Sequence, residues 1–108
     1  KAISLNPYYP FQYSLTLGRS YFGLGRYSEA AEALEESLDR NPSDLLSRLF
    51  LAATYVRLDR IDDAEWEIEL LQANAPEFNR AQVVKTIPFQ DKAELNALLD
   101  DLERAGLP

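Results

Sequence analysis

Two pairs of adjacent carboxylates, Asp62-Asp63 and Asp100-Asp101, are the residues of this 108-residue chain whose types most resemble a reactive site. Paired acids can hold a divalent ion or share acid–base work. The chain has no His and no Cys, which excludes imidazole catalysis, thiol chemistry, disulfides and the usual zinc sites, and leaves carboxylates as the metal ligands to weigh. Spacing argues against both pairs. Each falls in a helical pattern, where neighbouring residues diverge by about 100° and do not aim at one ion. Each is also expected on exposed helix surface, one at a helix start and one beside a leucine stripe, with nothing nearby to build a pocket. There is no phosphate loop and no nucleophile arrangement. No catalytic residue, metal, cofactor or small-molecule substrate is therefore expected, although a longer parent could be an enzyme.

The elements that carry these acids follow from composition and repetition. An apolar share of 46% with 27% charged residues is that of a folded chain. A net charge of −7 with a pI near 4.5 argues against a nucleic-acid partner, which needs clustered cations. No apolar run reaches the length of a membrane span, so no membrane partner is expected and the cytoplasm is the expected location. The absence of Met, even at the start, reads as a piece excised from a longer protein.

Shifted by 34 residues, the chain matches itself: Leu17 on Leu51, Gly18 on Ala52, Tyr21 on Tyr55, Leu24 on Leu58, Arg26 on Arg60, Ala30 on Ala64, Leu34 on Ile68 and Pro42 on Pro76. Each unit reads as two helices. In the first, a helix from Pro10 to Leu24 breaks at Gly25-Arg26, and Ser28 is expected to cap a second helix from Glu29 to about Arg40. Asn41-Pro42 ends it, because proline disfavours the α conformation in the residue before it. In the second unit, Ser43 or Asp44 caps a helix to Leu58, a turn falls at Asp59-Arg60, and a helix runs from Asp62 to about Asn74. Gly18 and Ala52 mark the close approach of antiparallel helices, with Ala30 and Ala64 facing them and Tyr21, Tyr55, Leu34 and Ile68 around the contact. Gly23 has no such role and is expected on an outward face.

These residues resemble the tetratricopeptide repeat pattern W-x-x-L-G-x-x-Y, A-x-x-x-F, P over 34 residues. The first repeat supplies Leu17, Gly18, Tyr21, Ala30, Leu34 and Pro42; the second supplies Leu51, Ala52, Tyr55, Ala64, Ile68 and Pro76. Ser14 and Arg48 replace the tryptophan, and Leu34 and Ile68 the phenylalanine. The resemblance implies an all-α fold of antiparallel helix-turn-helix units stacked as a right-handed superhelix, in one domain over 1–108. Within it, 1–7 (Lys1 to Pro7) ends a truncated repeat, 11–44 and 45–78 are repeats, and 79–108 is a degenerate third unit with a capping helix. That unit starts with a helix from about Asn79 to Thr86, stopped by Pro88. Asp91 caps the last helix, Lys92 to Ala105, whose Leu95, Leu98, Leu99 and Leu102 form the packing stripe, and Gly106 ends it. Asp100, Asp101, Glu103 and Arg104 are expected to form a polar outer face. The segment from Ile87 to Pro108 is also similar to tails of repeat regions in bacterial class III adenylate cyclases and winged-helix regulators.

The repeat resemblance implies a protein-interaction module whose first helices line a concave groove. The residues left for a partner are Gln12, Leu15, Arg19 and Phe22 in the first unit and Leu46, Leu49, Ala53, Val56 and Arg57 in the second, with Arg80 and Val83 continuing the surface. Taken singly, Leu15, Leu49 and Val56 read first as packing between repeats, and the partner-contact reading belongs to the stripe as a whole. Between Pro10 and Tyr27 stand two arginines and no acid, whereas the second helices carry Glu29, Glu32, Glu35, Glu36 and Asp39, then Asp62, Asp63, Glu65, Glu67 and Glu69. That acidic side reads as a solvated face. The groove is expected to be apolar to mildly basic, and its partner a protein or peptide segment with apolar anchors and acidic character, or a second copy of the chain. Repeat domains that clamp a terminal carboxylate use Lys and Asn where this chain has Leu15 and Phe50, so that activity is not implied. Trp66 is expected to be covered by the neighbouring unit's helix, with a second, convex-side contact as the alternative.

Overall fold

The computed structural model describes residues 11–86 and 92–107, the side chains of 11–13, 86 and 94 excepted. Six helices follow in order: α1 (Phe11–Gly23), α2 (Tyr27–Arg40), α3 (Leu45–Arg57), α4 (Ile61–Asn74), α5 (Arg80–Thr86) and α6 (Lys92–Arg104). The described residues contain no strand, and the fold is all-α. The segment Lys1 to Pro7, Pro88-Phe89 and the Asp91 cap lie outside the described residues.

The α1–α2 and α3–α4 turns are one local structure built twice. After α1, the Arg26 N–H donates to Tyr21 O at 2.9 Å and the Gly25 N–H to Phe22 O at 3.1 Å. After α3, the Arg60 N–H donates to Tyr55 O at 2.8 Å and the Asp59 N–H to Val56 O at 3.1 Å. This paired closure needs a left-handed residue just past the helix, and Gly25 at φ 77° and Asp59 at φ 61° supply it. Each arginine then lies over the tyrosine it closes on, 5.3 Å from Tyr21 and 4.4 Å from Tyr55.

The closing arginine is also the first cap of the next helix, which corrects the expected boundaries. α2 begins at Tyr27 and α4 at Ile61, so Ser28 sits inside the first turn of α2 and is not its cap. No residue is spare for a capping hydroxyl. Instead Arg26 reaches Glu29 at 2.6 Å and Arg60 reaches Asp63 at 2.8 Å, holding an acid in each first turn, where the helix dipole favours it. α3 starts differently, with the Asp44 side chain accepting from the Ser47 N–H at 3.0 Å. The Asn79 side chain accepts from the Gln82 N–H at 3.1 Å before α5.

Packing explains the small residues. A Cβ on Gly18 would stand 2.5 Å from Leu34 Cγ and 2.6 Å from its Cδ2, so α1 and α2 meet too closely for any larger residue. Gly18, Ala30, Leu34, Leu51, Ala52, Tyr55, Ala64 and Ile68 are buried, and Leu17 and Tyr21 half-buried. Pro42 and Pro76 are exposed turn residues. Of the repeat-pattern residues these two therefore take no part in packing between helices: each acts on the backbone before it, with the Asn41 N–H bonded to Ser37 O at 2.9 Å and the Ala75 N–H to Leu71 O at 2.8 Å. Gly23 is exposed with open space around it.

The third unit departs from the plan of the first two. α3 packs on α2, but α6 packs on α3, and α5 packs on α6. Leu98 and Leu102 are buried, Leu95 and Leu99 partly buried against the same core, and Ala105 and Leu107 complete the contact. α6 ends in the same paired closure, with the Leu107 N–H on Leu102 O at 2.9 Å and Gly106 at φ 102°. The radius of gyration of 12.8 Å matches the roughly 13 Å of a compact chain this long, because α6 folds back on the array instead of lengthening it.

Candidate partner-binding surface

Along the inner face, α1 and α3 present corresponding positions with opposite exposure. Arg19 of α1 is exposed, its guanidinium 5.0 Å from the centre of the Phe50 ring. Phe22 is half-buried and meets Tyr27 and Phe50 edge-on at 5.5 and 6.0 Å. Such edge-to-face contacts hold the rings in place while part of Phe22 stays open to solvent. On α3, by contrast, Leu49 and Ala53 are fully buried and Val56 is 4% exposed. Leu15 of α1 is 9% exposed.

The expectation that Leu15, Leu49, Ala53 and Val56 form part of an open groove is therefore corrected, and Leu15, Leu49 and Val56 are buried as their single-residue reading as packing positions has it. α3 is enclosed by α2, α4 and α6, and its apolar inner stripe belongs to the core. Val83 is fully buried as well, and Arg80 pairs with Glu103 of α6 at 3.2 Å. Leu46 is half-buried, and the Gln12 side chain lies outside the described residues.

Arg57 is the hinge point of this surface. Its Nε donates to Asp101 Oδ2 of α6 at 2.7 Å, and its guanidinium lies 6.0 Å from the Phe22 ring and 5.9 Å from the Tyr27 ring. One cation thus joins α3 to α6 and to the α1–α2 corner. Asp101 is 4% exposed, which corrects its place on the polar outer face and on exposed surface. Burial pushes its carboxyl above the usual carboxylate value, with the Arg57 hydrogen bond and charge opposing. The hydrogen bond from Arg57 to Asp101 in turn raises Arg57. The sequence held a signal for this: residues 98, 101, 102 and 105 share one helix face, so Asp101 falls within the leucine stripe.

The outer side carries its own polar network. The Tyr55 hydroxyl donates to Glu35 at 2.6 Å, and Arg48 donates to Glu67 at 2.8 Å and to Pro42 O at 2.8 Å. Burial first, then the bond to Glu35, drives the Tyr55 hydroxyl well above its ordinary pKa; burial likewise raises Glu67, opposed by Arg48. These acids are tied into the fold. Asp62 and Asp63 are exposed, Asp63 bonded to Arg60, while Asp100 is exposed and Asp101 buried, so neither pair converges. Among the described residues no three acids gather closely enough to hold a metal ion, and no helix is long and apolar enough to cross a membrane.

Trp66 is 57% exposed, so its expected cover is absent. The reason is the third unit's departure: α6 packs on α3 and α5 on α6, leaving the outward face of α4 without the overlying helix that α3 gives α2.

No curated protein and no solved structure matches the chain. The family model described as Tetratricopeptide repeat matches residues 15–77, a span that holds both copies of the tyrosine-closed turn, the Gly18–Leu34 approach and its Ala52 counterpart. With more than half of its length matched, the chain belongs to the tetratricopeptide repeat family.

Proposed function

We propose that the chain binds a partner segment on the open part of its inner face, formed by Arg19 and Phe22 of α1 with Leu46 and Arg57 of α3. Tetratricopeptide repeats are generally non-catalytic modules that bind proteins, and this chain is one of them. The observation that carries the specific reading is the acid-free α1 surface, where an exposed arginine stands beside a half-exposed phenylalanine held edge-on by two other rings. Such a surface suits a segment with an apolar side chain to cover Phe22 and a carboxylate to meet Arg19. From the resemblance read in residues 87–108, we further propose a place for the module in a multidomain regulator of the cyclase or winged-helix kind.

A displayed peptide library selected on the chain, and counter-selected on Arg19→Glu and Phe22→Glu variants, tests the reading. The expected outcome is enrichment of acidic-apolar sequences whose binding each variant reduces tenfold or more. A library yielding only binders indifferent to both substitutions would contradict it. Sedimentation equilibrium run alongside distinguishes the alternative: a concentration-dependent dimer abolished by Phe22→Glu would put a second copy on this surface.

A further inference from the structure

We propose that α6 is an intramolecular ligand of the α3 half of the inner face, which is thereby a site for amphipathic helices whose leucine stripe is interrupted by one carboxylate. This rests on reading the inner face as a partner surface, and adds what that surface selects and how it is closed.

The placement of α6 is the first support. A unit that continued the array would cover α4 as α3 covers α2, yet α6 lies on α3 and leaves Trp66 of α4 57% exposed. The chain's own last helix is thus seated where a bound segment would sit. The second support is the chemistry of the contact. Leu98, Asp101, Leu102 and Ala105 form the seated stripe, and all four are buried. An apolar residue at 101 would hold a simple cap at least as firmly, since burying a carboxylate costs more than a half-exposed partner cation returns. A single ion pair, Arg57 to Asp101 at 2.7 Å, instead sets the register and direction of the helix. The third support is continuity. The corresponding α1 positions, Arg19 and Phe22, continue the pairing of cation and apolar surface beyond the reach of α6. A partner helix of the same pattern that also engages α1 therefore makes contacts α6 lacks, and can displace it.

The test uses the full chain carrying Ala53→Cys. Ala53 is fully buried and the chain has no other cysteine, so thiol labelling reports uncovering of this face. The probe is a fluorescent peptide with the sequence of residues 92–107, together with the same peptide carrying Asp101→Asn. In the chain with its own α6 loosened by Leu98→Ala, labelling is expected to accelerate at least tenfold. The probe is expected to bind tenfold tighter than to the unaltered chain and to slow labelling again; Arg57→Gln in the chain is expected to weaken binding of the unaltered probe tenfold, by leaving Asp101 buried without its cation, and to leave binding of the Asp101→Asn probe unchanged. If Leu98→Ala prevents folding, as read by circular dichroism, Leu95→Ala, at a position only partly buried against the core, serves to loosen α6. Labelling only at the rate of global unfolding would overturn the proposal, as would fast labelling that the probe does not slow, or an Arg57→Gln effect that is absent or the same for both probes. None of these readouts involves Arg19, Phe22 or an outside protein, so failure of the α1 surface to bind a partner leaves them unchanged and is separately visible.

Discussion

Helices α1 and α3 occupy the same place in successive repeats, and their inner faces end up in opposite states. Arg19 is exposed and Phe22 half-buried, while Ala53 and Val56, 34 positions on, lie inside the core. The repeat pattern does not set that difference; α3 is enclosed by α2, α4 and α6, whereas among the described residues α1 packs chiefly on α2 and α3. The turns tell a complementary story. Gly25 and Asp59 adopt the same left-handed conformation, so here the backbone is repeated although the residue is not. Repetition in sequence therefore predicts backbone better than it predicts which surface is free.

The largest expected effect breaks the α3–α6 contact. Leu98→Asp places a charge where Leu98 is 1% exposed and should cost about 3–5 kcal/mol, lowering the melting midpoint and the protection of α3 amides together. An unchanged midpoint would remove α6 from the core. Gly18→Ala should cost about 1–3 kcal/mol in denaturant unfolding, because its Cβ would meet the buried Leu34 at 2.5 Å, and Leu34→Val in the same chain should recover part of the loss. The second repeat has Ala52 opposite Ile68, so the rescue would show that the two interfaces differ by this exchange of volume.

The turns allow a smaller and reciprocal test. Asp59→Gly should stabilise by about 0.5–1 kcal/mol and Gly25→Asp destabilise by about 1 kcal/mol, since only glycine adopts positive φ without a Cβ penalty. Equal and negligible effects would mean the turns are not held in that conformation. The Ser14 hydroxyl, fully buried and without a hydrogen-bond partner among the described residues, gives the smallest effect: Ser14→Ala should leave the midpoint unchanged or raise it slightly.

Charge at Asp101 adds a pH dependence whose sign is fixed. Its pKa in the folded chain is raised above 3.8, so the folded state binds this proton more tightly than the unfolded state. The associated stability is present below the ordinary carboxylate range and lost as pH rises through the raised value. Relative to Asp101→Asn, the unaltered chain should therefore lose stability as pH climbs from about 4, read from midpoints at successive pH values. A relative gain over that window would mean that Arg57 outweighs burial.

Much of the fold was legible because it is written in local signals. Helix ends at Gly25, Asn41-Pro42 and Gly106 depend on backbone chemistry that those residues announce, and Gly18 marked a close approach that the Leu34 distances bear out. Ser28 misled because a capping residue by type stood two places beyond an arginine that serves as cap and turn closure at once. The state of the inner face was not legible, since Leu49, Ala53 and Val56 suit a groove or a core equally and α6 decides between them. Asp101 was readable from its stripe, but a carboxylate in a leucine row looks exposed until its partner is found 44 residues away at Arg57.

The division of the inner face into an open half and an occupied half is tested most directly by thiol labelling of two single-cysteine chains, Arg19→Cys and Ala53→Cys. These positions correspond across the repeats, and no native cysteine competes. The account predicts that Arg19→Cys labels at nearly the rate of a free thiol and Ala53→Cys about a hundredfold or more slower, through opening of α6. Comparable rates at the two positions would contradict it.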